Sequence, residues 1–334
     1  MRIPVAIVGG GPAASAAALS LARRGVGSLI LERGDDRGDK PGESLPPSAL
    51  PLLASLDIAG ALEGHLAVHG QRSAWGSDVV DEMSFLFSPY GHGWHLDRRR
   101  FERLLIERAL AEGAVRWAGA RVVDVRREGL TWSLRLEHGT DVDCGFLIDA
   151  TGRASWLARR LGARRVHHDR LVASVAFLDG GRSDSVTLVE ATTDGWWYSA
   201  ALPDDRLAVM SVSDAPLAWD PPELTRGRIE AGGYAMRAPV RRVDAGSARL
   251  DRAGGDGWLA IGDAAMAVDP IASQGLVMAL ATGLAAGETS LDDYAAFIDT
   301  SWRAYARMRR ACYAAERRWA NAPFWRRRRE VAMA

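Results

Sequence analysis

The residues best placed to do chemistry in this chain are glycines. Gly9-Gly10-Gly11-Pro12-Ala13-Ala14 follows directly on the apolar run Ile3-Pro4-Val5-Ala6-Ile7-Val8 and opens an Ala/Leu-rich stretch ending near Arg23-Arg24-Gly25. A strand, a Gly-x-Gly-x-x-Ala turn and a helix in that order make a site for a dinucleotide pyrophosphate. Gly9 permits the tight turn, Gly11 lets the backbone approach the phosphates, and small Ala14 lets the helix sit close on the strand. Pro12 and Ala13 belong to the same helix start. A second apolar run, Ser28-Leu29-Ile30-Leu31, ends at Glu32, 18 residues past Ala14, where a carboxylate meets ribose hydroxyls, with Arg33 beside it.

The elements that must hold this site recur along the chain. After a Gly/Asp/Pro-rich loop from Gly34 to Pro51, Trp94-His95-Leu96-Asp97 leads into a helix predicted from Arg98 to Ala111. Strands are predicted at Val115–Trp117, Ala120–Arg126 and Thr131–His138, an antiparallel-looking set that interrupts the nucleotide fold. Phe146-Leu147-Ile148-Asp149-Ala150-Thr151-Gly152 then re-enters the parallel sheet as a buried strand ending in a Gly turn. A further antiparallel region spans Leu171–Phe177, Ser185–Glu190, Gly195–Ala200 and Arg206–Ser213. The last parallel strand is Trp258-Leu259-Ala260-Ile261, followed by Gly262-Asp263, an Ala-rich helix from Leu276 to Ala286, and an amphipathic Arg/Ala helix from Leu291 to about Trp319. The expected fold is α/β: a three-layer Rossmann-type nucleotide domain with an inserted antiparallel substrate sheet and C-terminal helices. The nucleotide domain is discontinuous over 1–75, 94–165 and 250–290, the substrate sheet takes 76–93 and 166–249, and 291–334 form a helical segment.

Composition bounds the function. Across 334 residues, 48% hydrophobic content supports a continuous core, and 42 basic residues balance 42 acidic ones, so nothing in the net charge asks for nucleic acid. Cys144 and Cys312 lack the companions of a metal or redox pair and read as core thiols. There is no charged leader and no apolar run of the ~18 residues needed to span a bilayer, so a cytoplasmic protein without a membrane span is expected.

Taken in order over roughly residues 3 to 290, these motifs resemble the FAD-dependent monooxygenases typified by aromatic hydroxylases and flavin-dependent halogenases. That resemblance implies FAD, with its pyrophosphate at Gly9, Gly11, Pro12, Ala13 and Ala14 and its adenosine ribose at Glu32 and Arg33. It implies that Arg98, with Arg100 as the neighbouring candidate, approaches the flavin phosphate or ribityl chain. Gly262-Asp263 matches the family's Gly-Asp signature, whose aspartate binds the ribityl chain, and Asp149 and Gly152 join the cofactor set. Asp269-Pro270-Ile271-Ala272-Ser273-Gln274-Gly275-Leu276 resembles the segment that brings a helix N-terminus to the isoalloxazine edge, which assigns Pro270, Gln274, Gly275 and Leu276. The same segment makes sense physically, because backbone N–H groups at a helix start stabilise the negative charge of a reduced flavin.

Gly42-Glu43-Ser44-Leu45-Pro46-Pro47 resembles the Gly-Glu-Ser/Ala segment of the halogenase branch, placing Glu43 and Ser44 at the cofactor. Halogenases depend on a lysine after that segment and on Trp-x-Trp-x-Ile-Pro. The sole lysine here, Lys40, precedes the segment, and none of the 12 tryptophans lies in such a motif, so halogenation is disfavoured. The Asp269–Gly275 segment, with Tyr313-Ala314-Ala315-Glu316-Arg317-Arg318-Trp319 and Pro323-Phe324-Trp325-Arg326-Arg327, is similar to the LodB-like flavoproteins, which mature tryptophan-derived quinone cofactors. The resemblance then implies that reduced FAD and O2 form a C4a-hydroperoxide that hydroxylates an aromatic small molecule or a protein or peptide substrate, including peptidyl tryptophan. Electrons come from NAD(P)H or from reduced flavin made by a separate flavin reductase. Two alternatives stand beside this: a reductase of the geranylgeranyl-reductase type, and a non-catalytic flavin-binding partner.

Trp196, Trp197 and Tyr198 are the candidate substrate wall. A strand alternates faces, so Trp196 and Tyr198 point one way and Trp197 the other. They fill a core equally well. No general base is evident: His65, His69, His92, His95, His167 and His168 show no metal spacing, and His92 and His95 lie nearest the cofactor arginine in sequence. The Arg-rich tail, Arg317-Arg318 and Arg326 to Arg329, reads as a docking face, a nucleic-acid or membrane contact, or a solvated helix end.

Overall fold

A computed structural model describes residues 2–34, 38–181 and 184–330. The apolar runs that lack polar alternation become the parallel strands of one sheet, as expected for strands covered on both faces. Its path runs Gly254–Gly255, Trp258–Ala260, Asp141–Asp149, Arg2–Val8, Ser28–Glu32 and Val115–Ala118. The registers align the carboxyl ends: Val8 lies opposite both Asp149 and Leu31, and Asp149 opposite Ala260. The chain leaves Arg2–Val8 toward one neighbour and returns on its other side, so the glycine turn sits where the strand order reverses, the usual ligand crevice of such sheets.

One strand departs from its expected pairing. Val115–Ala118 is not part of the antiparallel set; it is the parallel edge strand, with Glu32 opposite Ala118. The 14-residue Arg98–Ala111 helix supplies the crossover that a parallel partner requires. The other two segments do form an antiparallel ribbon, Val122–Glu128 on Thr131–Leu136 on Asp141–Asp149.

Small residues let the two helices that carry the site pack at close range. On the Pro12–Arg23 helix every residue from Ala13 to Leu21 is buried. A Cβ added at Gly283 of the Gly275–Glu288 helix would lie 2.4 Å from the Ala13 carbonyl, and one at Gly287 would lie 2.4 Å from Ser20 Oγ. Ser20 Oγ donates to the Leu284 carbonyl across this crossing. The alanines and glycines are therefore the condition for two helix N-termini to lie side by side.

The second sheet runs Ala235–Met236, Val172–Asp179, Arg206–Ser213, Gly195–Leu202, Thr187–Thr192, Gly70–Ala74 and Asp81–Ser84, with Arg241–Asp244 also on Val172–Asp179. Gly70–Ala74, expected in the first nucleotide piece, pairs in parallel with Thr187–Glu190 and belongs to this sheet. One face carries Ala173, Val175, Tyr198, Ala208 and Trp196. The other carries Ala176, Trp197, Leu207 and Val209, packed with Trp219 and Ile229.

The C-terminal helix Leu291–Ala315 ends four residues before the expected Trp319. There Glu316 turns extended and its fully buried carboxylate accepts from the Gly76 amide at 2.7 Å and from the Arg318 guanidinium, an arrangement that a continuing helix could not make. A second helix, Pro323–Glu330, lays Phe324 and Trp325 on the substrate sheet, and Trp325 Nε1 donates to the Thr192 carbonyl. Much of the Arg-rich tail is paired within the chain: Arg318 with Asp78, Arg327 and Arg328 with Asp214, and Arg328 over the Phe324 ring. Cys144 is a buried core residue whose thiol is pushed up to about 12 by burial. Among the described residues there is no cluster of three metal-ligating side chains and no helix long and apolar enough to cross a membrane.

Candidate active site

A cavity of about 400 Å³ opens between the carboxyl ends of the parallel sheet and one face of the antiparallel sheet. From the nucleotide side it is lined by Gly11, Pro12 and Ala13, by Gly42, Glu43 and Ser44, by Arg98, Gly152 and Asp263, and by Pro270, Gln274, Gly275 and Leu276. From the other side come Ala173, Val175, Tyr198, Ala208, Met210, Val243 and Ala245. Residues from separated stretches along most of the chain thus meet in one space.

Two of its polar features are helix ends. Neither the Pro12–Arg23 helix nor the Gly275–Glu288 helix has a side-chain cap at its N-terminus. The first amides of each helix lack intrahelical partners and the helix dipoles place positive potential there. A Cβ added at Gly11 or at Gly275 meets nothing within 4 Å. Arg98 adds a fixed cation: it donates to the Pro41 and Gly42 carbonyls at 2.8 Å and to Glu102 at 2.6 Å, while its buried Nε has no partner among the described residues. Open space over two uncapped helix starts beside an arginine fits the anionic parts of an FAD: its diphosphate at one helix and the reduced ring's pyrimidine edge at the other.

Other expected site residues lie behind the wall. Gly9, at φ +115°, makes the turn where an added Cβ would sit 2.1 Å from the Ala150 carbonyl oxygen. Ala14 is fully buried under it. Glu32 lies over Gly10 at the turn and is held by Arg116, whose Nε donates at 2.7 Å; Arg33 is exposed beyond it. The Gly262 amide donates to Thr282 Oγ1 at 2.8 Å, which aims Asp263 at the cavity. Asp149 corrects its expected role. Its buried carboxylate accepts from the Thr151 amide and hydroxyl and from the Ala158 amide, so it shapes the loop carrying Gly152 and Arg153 and offers no free oxygen to a ligand.

The candidate substrate wall divides as alternation requires. Tyr198 lines the cavity. Trp197 points to the opposite face, its ring 5.1 Å from that of Trp219, and is excluded from the site. Trp196 shares the Tyr198 face but lies off the cavity, where its Nε1 donates to Tyr313 Oη at 3.2 Å. None of the histidines lines the cavity. Lys40 also lies off it, paired with Glu102 at 2.8 Å, so the cavity contains no lysine.

Sequence reasoning missed Arg153, which lines the cavity and donates to the Gly246 and Val268 carbonyls, and the small apolar wall of Ala173, Ala208 and Ala245. Strand alternation signals such faces, but only the sheet's placement tells which one meets the cavity. It missed too the environment of Glu43. This carboxyl, 3% exposed, faces the Tyr198 hydroxyl and is raised above the ordinary carboxylate range by burial, against the opposing pull of Tyr198 and Arg98. Tyr198 Oη is also 2.7 Å from Ser44 Oγ.

A model of the tryptophan halogenase family matches residues 65–334. LodB of Marinomonas mediterranea, which carries the name of an FAD-dependent oxidoreductase, is 26% identical over 352 residues, covering 96% of this chain and 95% of its own. A menaquinone reductase of Mycobacterium tuberculosis is 31% identical over 311 residues, covering 85% of this chain and 75% of its own. The solved structure of QhpG, a peptidyl tryptophan dihydroxylase essential for tryptophylquinone cofactor biogenesis, has a TM-score of 0.79 at 23% identity, covering 100% of this chain and 80% of its own, a likeness of fold.

Proposed function

The chain belongs to the tryptophan halogenase family of FAD-dependent oxidoreductases, and from that premise we propose that it is a monooxygenase that hydroxylates an aromatic ring, with a tryptophan carried by a peptide or protein as the substrate class. The observation that carries this reading is the two-sided cavity. Helix starts, Glu43 and Arg98 form one side, a small apolar wall with Tyr198 forms the other, and no lysine stands between them.

In this reading Gly11, Pro12 and Ala13 hold the FAD diphosphate, Glu32 the adenosine ribose, Arg98 and Asp263 the ribityl region, and the amides from Gln274 to Leu276 the ring's pyrimidine edge. Bound and reduced by NAD(P)H or exchanged for reduced flavin from a separate reductase, FAD supplies the reaction with O2. The protein's part is to place the ring and keep water out. Ala173, Val175, Ala208, Met210, Val243 and Ala245 offer an apolar surface whose small residues leave room for a bicyclic ring, and orientation in such a dry site is where proximity acts. The similarity to LodB over nearly the whole of both chains supports an FAD-dependent oxidoreductase. The peptidyl substrate is supported by the resemblance of the Asp269–Gly275 and tail segments to the LodB-like flavoproteins and by the fold shared with the peptidyl tryptophan dihydroxylase QhpG.

Halogenation is disfavoured because the only lysine, Lys40, is ion-paired outside the cavity. The similarity to a menaquinone reductase supports a second reading, reduction of an apolar quinone or isoprenoid. One experiment separates the two. Reduced, FAD-loaded protein is mixed with a tryptophan-bearing peptide and isotopically labelled dioxygen, and the peptide is weighed by mass spectrometry. Incorporation of one labelled oxygen is expected; turnover of a quinone without oxygen, and no label in the peptide, would replace this reading with the reductase one.

A further inference from the structure

The cavity has three carboxyl groups on its wall, and they are not equivalent. Asp244 and Asp263 lie at the mouth, 53% and 38% exposed, each 3.6 Å from Arg153. Glu43 is enclosed. It stands on the short Ser44–Leu45 strand's approach, held by the Leu96 amide on its carbonyl at 2.9 Å and by pairing of Ser44 with His95 across the strands. The nearest alternatives cannot take a proton in the cavity. Arg98 and Arg153 are permanent cations, and buried His95 is turned to Thr187 with its proton affinity pushed down to about 3.

We propose that Glu43 is the general base of the site: its carboxylate accepts the N–H or O–H proton of the aromatic substrate as the ring is attacked, with Tyr198 and Ser44 fixing its direction. This rests on the monooxygenase reading. The step balances as follows. Dioxygen and the electron pair and two hydrogens of reduced FAD are consumed, and the O–O bond breaks. One oxygen, carrying one of those hydrogens, forms the new C–O bond while the other hydrogen goes to the second oxygen. The heteroatom proton passes to Glu43 as that bond forms. When the attacked carbon sheds its own proton, that proton leaves in water with the second oxygen, and Glu43 returns its proton to the heteroatom.

The surroundings suit this duty. Tyr198 faces the carboxyl from the antiparallel sheet, and Ser44 Oγ fixes the Tyr198 hydroxyl at 2.7 Å. Behind Glu43 a small crevice is lined by Asp39, Lys40, Asp97, Arg98, Arg99 and Arg206, so charges of both signs surround it. Burial is the largest influence and raises the carboxyl above its ordinary 4.5, so it takes up a proton more readily than an exposed carboxylate.

The test compares wild type, Glu43→Gln and Glu43→Asp by two readouts. The first is binding of indole and of 1-methylindole, which lacks the N–H, across the acid-to-neutral range, with FAD affinity followed by flavin fluorescence. Wild type is expected to prefer indole by about tenfold above the carboxyl's titration and to lose the preference below it. E43Q is expected to show no pH-dependent preference while holding FAD as wild type does. The second is single-turnover hydroxylation, expected to fall by about a hundredfold or more in E43Q and to lose its acid limb, whereas E43D keeps a displaced limb. E43D also serves if E43Q does not fold. Unchanged preference and unchanged acid limb in E43Q overturn the assignment, as does loss of FAD in step with loss of activity, which would make Glu43 a cofactor ligand. A Glu43-dependent preference in a wild type that incorporates no oxygen would overturn the monooxygenase reading and with it the base role, leaving a substrate-binding carboxylate.

Discussion

Tyr198 Oη lies 2.7 Å from Ser44 Oγ, a contact that joins the antiparallel sheet to the Gly42–Leu45 segment of the nucleotide side. Removing the hydroxyl leaves the ring in place and Ser44 without its partner. Tyr198→Phe is expected to cost about 1 kcal/mol of stability, to leave FAD affinity unchanged and to slow turnover of the aromatic substrate. Thermal unfolding and a flavin titration measure the first two, and single-turnover kinetics the third.

Two glycines in the same turn should behave in opposite ways. Gly11 has φ −81° and an added Cβ meets nothing, so Gly11→Val is expected to leave the unliganded fold within about 1 kcal/mol of wild type while reducing FAD affinity at least tenfold. Gly9 has φ +115° and its added Cβ would meet the Ala150 carbonyl at 2.1 Å, so Gly9→Ala is expected to destabilise the fold itself. Denaturant unfolding of the FAD-free proteins separates the two.

Arg309 is 3% exposed and bonds Asp269, fully buried, at 3.0 Å and Asp169 at 2.8 Å. Asp269 also accepts from Tyr313 Oη at 2.8 Å, so the C-terminal helix holds the loop that carries Pro270 and Gln274 to the cavity. Arg309→Leu leaves an uncompensated buried charge and is expected to cost about 3–5 kcal/mol. Adding Asp269→Asn should restore part of that loss, a coupling that a double-mutant cycle in denaturant reads directly.

Acid should unfold the protein partly through His95. Burial, then the charge of Arg228, lowers its proton affinity from 6.5 to about 3. Between those values the unfolded chain binds a proton that the folded chain does not. Its contribution to stability is therefore complete above pH 6.5 and declines as pH falls toward 3, by up to about 1.4 kcal/mol per pH unit. His65 and His168, also lowered by burial, act in the same direction. His95→Gln is expected to flatten the pH dependence of the denaturation midpoint in that window.

Much of the nucleotide half was legible because its signals are local. The glycine turn and the Gly262-Asp263 pair each follow the end of a parallel strand, Glu32 ends another, and such ends border one crevice. Arg98 opens a helix just past the short Gly93–His95 strand of a separate sheet. Asp149 was misread for a related reason: a strand-end carboxylate can face the ligand or fold back on its own loop, and spacing does not distinguish these. Val115–Ala118 was misassigned because short apolar strands look alike whether parallel or antiparallel; the preceding helix was the signal for a crossover. On the substrate side, alternation correctly separated Trp197 from Tyr198, yet could not show that Trp196 sits beyond the cavity, nor that Glu43 meets Tyr198. Those depend on how two sheets from distant segments are set against each other.

The central claim is oxygen-dependent hydroxylation by an FAD held in this cavity. Its most direct test is to reduce the FAD-loaded protein without oxygen, mix it with oxygenated buffer in a stopped-flow spectrometer, and follow the flavin spectrum with and without a tryptophan-bearing peptide. The account expects a transient absorbing species, distinct from both reduced and oxidised flavin, whose decay the peptide accelerates as oxygen enters it. Direct return to oxidised flavin, with the peptide present and unmodified, would contradict it.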